Sequence, residues 1–179
     1  MGVAKKQIDE RLRSWIEEQP MFFIATAPTK GHINLSPKGY DSLRVTDPTT
    51  VVYLDLTGSG AETIAHVTEN GRITFMWFAY KGKPNIVRAY GTATVHRLGS
   101  AGFDERTHLF DDIGGKRAII ETEVTRVSTS CGFSVPEFEL LGERPRLREW
   151  AAKKGPEGVR QYQKDRNQVS IDGLPTHLH

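Results

Sequence analysis

Two periodicities divide the chain. Over residues 4–18 the apolar positions Ile8, Leu12, Trp15 and Ile16 recur at the spacing of one helical face, with charges between them, and Pro20 ends the pattern. From Met21 the period drops to two. Residues 21–27 and 32–36 read as strands joined by a turn over 28–31, an antiparallel hairpin; 43–45 are a short extended piece and 51–55 a third long strand. Gly58 and Gly60 then free the backbone, and 61–67 suit a helix that Asn70-Gly71 closes. Residues 72–80 are so apolar that both faces of that strand are expected to be buried. After a turn over 81–84, residues 85–97 alternate as a fifth strand, with Gly91 marking a bulge or a close backbone contact. A short helix over 101–110 and a half-solvated sixth strand over 116–130 follow. Six evenly spaced strands with one helix after the third predict a mainly β fold, a small closed or nearly closed antiparallel barrel with flanking helices.

Beyond Pro136 the composition shifts to charge, proline and glycine, with helical pieces over 146–154 and 157–167. Leu147, Trp150, Val159 and Tyr162 give these pieces apolar surface, so they are expected to form an arm over the barrel or a partner; the alternative is a partly mobile tail. The 179 residues suit a single domain, 1–179, with its core over 20–130 and a C-terminal helical arm over 136–179.

Charge narrows the choice of partner. Twenty-four basic against 22 acidic residues leave a net charge of +2, and no basic run is interleaved with aromatics, so small molecules rather than nucleic acid are expected. The start of the chain is charged and no apolar segment approaches membrane-spanning length, which points to a cytoplasmic protein without membrane contact. Cys131 is the only cysteine, which excludes an internal disulfide, and it reads more readily as a small buried apolar residue than as a nucleophile. Six scattered histidines show no metal-binding spacing, so no metal is expected.

Chemistry concentrates where the third strand runs through glycines into a helix. A helix start exposes unpaired N–H groups at the positive end of its dipole, and Thr57, Ser59 and Thr63 add hydroxyls, so the junction reads as a cradle for a cofactor phosphate. The plainer reading is an ordinary connection with Ser59 as the helix N-cap.

Residues 34–39 (Asn-Leu-Ser-Pro-Lys-Gly), the cradle from Tyr53 through Asp55, Thr57, Gly58, Ser59 and Gly60 to Thr63, residues 70–75 and 90–93 together resemble the FMN-binding split barrels of the pyridoxamine 5′-phosphate oxidase-like family. The tail stretches 131–136 and 170–175 are similar to those of a less characterised bacterial branch of it. The resemblance implies a six-stranded antiparallel split β-barrel and a homodimer with two FMN sites at the subunit interface. The implied activity is that of an oxidoreductase passing hydride or electrons between FMN and a small-molecule substrate or electron donor.

On that reading Ser59, Gly60 and Thr63 supply phosphate donors, and Lys38 neutralises the phosphate or polarises the pyrimidine edge of the ring. Asn34 and Ser36 share one side of their strand with Lys38 and are expected to face the flavin. Arg88 is the candidate contribution of the partner subunit, with a surface salt bridge as the alternative; Trp77 reads as core. No catalytic group is identified. The cradle lacks the Ser-Arg-Lys of true pyridoxamine phosphate oxidases and carries Glu62 there, which puts vitamin B6 oxidation in doubt; Glu62 is expected to face outward or to pair with a base. The remaining alternatives are a deazaflavin-dependent reductase and a non-enzymatic flavin- or haem-binding module, for which His66, His96 or His108 would be the axial ligands to test.

Overall fold

A computed structural model describes residues 4–178. One antiparallel sheet dominates it, with strands β1 (Ala4–Lys5), β2 (Phe22–Thr26), β3 (Asn34–Lys38), β4 (Leu43–Asp47), β5 (Thr50–Leu56), β6 (Arg72–Phe78), β7 (Ile86–Arg97) and β8 (Lys116–Ser130). The helices are α1 (Glu10–Glu17), α2 (Glu62–Asn70), α3 (Ala101–Arg106) and α4 (Arg146–Arg166). The order across the sheet is β3-β2-β6-β7-β8-β5-β4, with β1 paired to β8. All eight strands belong to this sheet, two more than expected. The additions are β1, a two-residue edge too short to leave a pattern, and β4, the extended piece at 43–45, which pairs with β5.

The sheet curls until its ends meet. Phe22 of β2 and Tyr53 of β5 have ring centroids 5.9 Å apart, although three strands, β6, β7 and β8, separate β2 from β5 along the sheet. No ladder joins β3 to β4 or β5, so side chains alone close this seam, and the barrel is split there. Phe75 packs at 6.2 Å from Phe22 and 6.0 Å from Tyr53 and stacks on Trp77 at 5.6 Å, which makes Trp77 a core residue as expected. Offset and edge contacts of this kind add to the area the rings bury.

Local chemistry sets the element ends. Helix α1 begins at Glu10, later than the apolar stripe indicates, because the Asp9 carboxylate caps the Leu12 N–H and the Ile8 N–H bonds to the Pro48 carbonyl. Gly71 ends α2 in the left-handed region (φ 73°), its N–H on the Val67 carbonyl. At Gly91 the β7–β8 register shifts, with Thr125 on β8 as the extra residue, and a Cβ on Gly91 would stand 2.1 Å from the Glu123 carbonyl oxygen, so Gly91 is a close contact opposite a bulge.

One face departs from expectation. Ile73, Phe75 and Trp77 of β6 are buried, but Thr74, Met76 and Phe78 on the other side are only half-buried, covered in part by Phe138 of the stretch after β8, whose ring lies 6.1 Å from that of Phe78. By register this outer face continues through Phe23 and Ala25 of β2 to Pro37 and Leu35 of β3, where Leu35 is 63% exposed.

Candidate functional site

The seam that lacks a ladder is where polar chemistry gathers. On β3 the pleat sends Asn34, Ser36 and Lys38 to the side that faces Thr26, Ile24 and Phe22, inside the curl. The Asn34 amide donates to the hydroxyls of Thr26 and Thr63, each at 3.1 Å, and its carbonyl accepts from Ser36 at 2.8 Å. Thr26 Oγ1 also lies 3.1 Å from Nδ1 of His66, which is fully buried in α2. His66 Nε2 has no hydrogen-bond partner among the described residues and lies 3.8 Å from the Glu62 carboxylate.

At the other end of this face, Lys38 Nζ reaches Asp55 Oδ2 at 3.2 Å, with Tyr53 Oη 3.4 Å from the same oxygen. Asp55 Oδ1 accepts from Arg117 Nε at 2.7 Å and Nη2 at 2.6 Å. Burial alone raises the Asp55 carboxyl, but the charges of Arg117 and Lys38 and their hydrogen bonds outweigh it and hold the group below the usual carboxylate range. Burial, followed by the Asp55 charge, drives the Tyr53 phenol well above its ordinary value. Asp55 and Arg117 are 0% and 4% exposed, whereas the Lys38 side chain keeps 21%. The triad therefore holds two cations against one anion, and Lys38 is the member with access to a ligand.

A bulge delivers Arg117. Asp55 opposes Ala118 and Leu56 opposes Lys116, so Arg117 is the extra residue on β8 and its side chain turns toward Asp55 instead of following the pleat. Its Nη1 also donates to the Gly60 carbonyl at 2.8 Å and to Asn167 Oδ1 at 3.0 Å.

The cradle is built largely from behind. Thr57 Oγ1 donates to the Gly115 carbonyl and accepts from Gln163 Nε2, both at 2.7 Å, and Asn167 Nδ2 donates to the Gly58 carbonyl at 3.1 Å. Gln163 lies on α4, which runs as one element with a break in helical geometry at Gly155, where the sequence places its boundary between two helical pieces. Ser59 is exposed and does not cap α2; the N-cap is Ala61, which has no side-chain hydrogen bond, so the first-turn N–H groups of α2 keep their capacity to donate. Glu62, with its side chain 17% exposed, does not face outward: it accepts from the Ile171 N–H at 3.1 Å and lies 3.8 Å from His66 Nε2.

The structure thus brings Asn34, Ser36, Lys38, Asp55 and Thr63 onto one face and sets Thr57, Gly58, Ser59 and Gly60 beside it. Arg88 stands apart on the outer face, opposite Met76, with Nη1 on Ser130 Oγ at 3.2 Å. Cys131, expected to be buried, is exposed just beyond β8. Sequence reasoning missed Arg117, Thr26, Gln163 and Asn167, and considered His66 only as a haem ligand. The signal for Arg117 was a cation leading directly into the apolar run Ala118-Ile119-Ile120. A second carboxylate gripped by two bases, Glu121 on β8, lies nearer the surface: its Oε2 is 2.8 Å from His96 Nε2 and 3.0 Å from Arg106 Nη2. No described helix is long and apolar enough to cross a membrane.

Comparison with known proteins places this geometry. A family model described as pyridoxamine 5′-phosphate oxidase matches residues 8–131. The pyridoxamine 5′-phosphate oxidase family protein ustO of Aspergillus flavus is 37% identical over 98% of this chain and 78% of its own length, a match that takes in the tail. Among solved structures, a variant of HupZ from Group A Streptococcus superposes with a TM-score of 0.55 at 24% identity, covering 69% of this chain and 99% of that one. A provisionally assigned pyridoxamine 5′-phosphate oxidase of Lactobacillus delbrueckii gives 0.54 at 17% identity, covering 69% and 94%.

Proposed function

Because this chain belongs to the pyridoxamine 5′-phosphate oxidase family, we propose that it is an FMN-binding flavoprotein, an oxidoreductase passing hydride or electrons through FMN at a homodimer interface. The observation that carries the reading is the convergence, at the open seam, of Asn34, Ser36 and Lys38 with an uncapped helix start and a buried Asp55–Arg117 pair to which Lys38 adds one excess positive charge. A phosphate of charge near −2 needs donors and a cation. The α2 start supplies the donors, and the excess charge stands in for the arginine and lysine that the cradle lacks.

Flavin supplies the redox chemistry when bound, and the chain's residues bind, orient and tune it. Asn34 and Ser36 present an amide and a hydroxyl suited to the polar edge of a flat ring, and Lys38, released from Asp55, carries a positive charge to the ligand. No side chain in the site is assigned a proton transfer. The half-covered outer face of β3, β2 and β6 is the surface a second copy would bury, and Arg88 stands on it.

The test is the visible absorption spectrum of freshly purified protein, with identification of the ligand released on denaturation and the oligomeric state measured in solution. FMN bands and a dimer are expected. A Soret band would replace flavin with haem, and a colourless protein indifferent to added FMN and deazaflavin would overturn the reading.

A further inference from the structure

The phosphate loop has two sides, and the chain occupies only one. Gly58 C=O is anchored to Asn167 Nδ2 and Gly60 C=O to Arg117 Nη1. In a trans peptide the C=O and the next N–H point in opposite directions. Anchoring these two carbonyls inward turns the N–H groups of Ser59 and Ala61 the other way, and neither has an acceptor among the described residues. The Arg117 guanidinium bonds the Asn167 side-chain oxygen as well, so one amide links the two anchors. Asn167 is itself fixed: it is fully buried, and its carbonyl accepts from Thr176 Oγ1 at 2.6 Å. A further polar atom lies at the same end of α2, the fully buried Nε2 of His66, which has no hydrogen-bond partner among the described residues and stands 3.8 Å from the Glu62 carboxylate.

We propose that Asn167 is a positioning residue for anion recognition: the C-terminal arm of the same chain sets the peptide planes of the glycine loop so that their N–H groups meet the phosphate end of the ligand. The inference rests on the flavin reading above and deepens it, since it makes affinity for the phosphate, separately from affinity for the ring, depend on an arm outside the barrel. Asn167 touches no ligand atom and acts through Gly58 and Arg117. Without its amide the Gly58 plane is free to rotate, and the loop must be ordered at the expense of binding.

The experiment titrates the full chain with FMN and with riboflavin, which has the same ring and no phosphate, following flavin fluorescence. N167A is expected to lose roughly ten- to hundredfold in FMN affinity, the range of hydrogen bonds to a charged group, while riboflavin affinity stays within about twofold, smaller than any such bond. Gln161→Ala, on the exposed side of α4, should leave both unchanged. If N167A does not fold, N167S is measured in its place and the same change in ratio is expected. Equal losses for the two flavins, or an unchanged ratio, would overturn the positioning role. A wild-type protein that binds neither flavin would instead remove the flavin reading, and this inference with it.

Discussion

Asp55 and Glu121 are two versions of one motif at different depths. Each is a strand carboxylate held by two basic side chains, Arg117 and Lys38 in one case and His96 and Arg106 in the other. Each is held below its ordinary range against the opposing effect of burial. The Asp55 side chain is 0% exposed and that of Glu121 31%. The difference shows that pairing alone does not mark a site. At Glu121 water and salt screen the charges, whereas the Asp55–Arg117 pair is buried and Lys38 adds its charge at the open seam, where it acts on whatever occupies the seam.

The comparison breaks first at Asp55. D55N leaves the Arg117 guanidinium buried without its counter-ion, and should cost about 3–5 kcal/mol in urea unfolding; a cost below about 1 kcal/mol, the level of a surface pair, would put the two clusters on the same footing. Adding R117M to D55N removes the stranded charge. The double variant should be more stable than the sum of the single effects by about 1–3 kcal/mol, and strict additivity would mean that the pair is not what holds this end of the barrel.

Acid sharpens the contrast. Since the folded Asp55 carboxyl sits below its unfolded value, its contribution is fully present above the ordinary carboxylate range near about 4 and is lost as pH falls through the lower folded value. The stability gap between wild type and D55N should therefore close on acidification. A gap constant down to pH about 2 would contradict the lowered carboxyl. The smallest effect is expected for E121Q, about 0.5–1 kcal/mol at low salt and less at about 0.5 M salt. A larger loss that does not respond to salt would give Glu121 a structural weight that its exposure does not justify.

The barrel strands were legible because one face of each packs on a common core, and alternation records that directly. Gly91 and Gly71 were legible because each has one steric reason to be glycine. The position of α1 was less so, since the Asp9 cap competes with an apolar stripe that starts earlier at Ile8. The face containing Asn34, Ser36 and Lys38 followed from the pleat alone. The pairing of Lys38 with Asp55 did not, because it joins strands that share no ladder, and sequence spacing carries no information across a seam. Arg117 was hidden by its bulge: alternation places it on the wrong side of β8, and one irregular step returns it to Asp55. The outer face of β6 exposes a different limit. Hydropathy records that a surface is to be covered, without recording whether the cover belongs to the same chain.

The anchoring of Gly58 by Asn167 also bears on how the molecule is made. The two residues are separated by 109 positions, so the loop emerges during synthesis long before the group that orients it. Contacts this distant in sequence form late, after the entropy of closing the intervening loop has been met. A nascent chain can assemble β2, β3 and the start of β5 while the glycine loop still lacks its anchor, so on the proposal above the capture of a phosphate-bearing ligand belongs to the last stage of maturation.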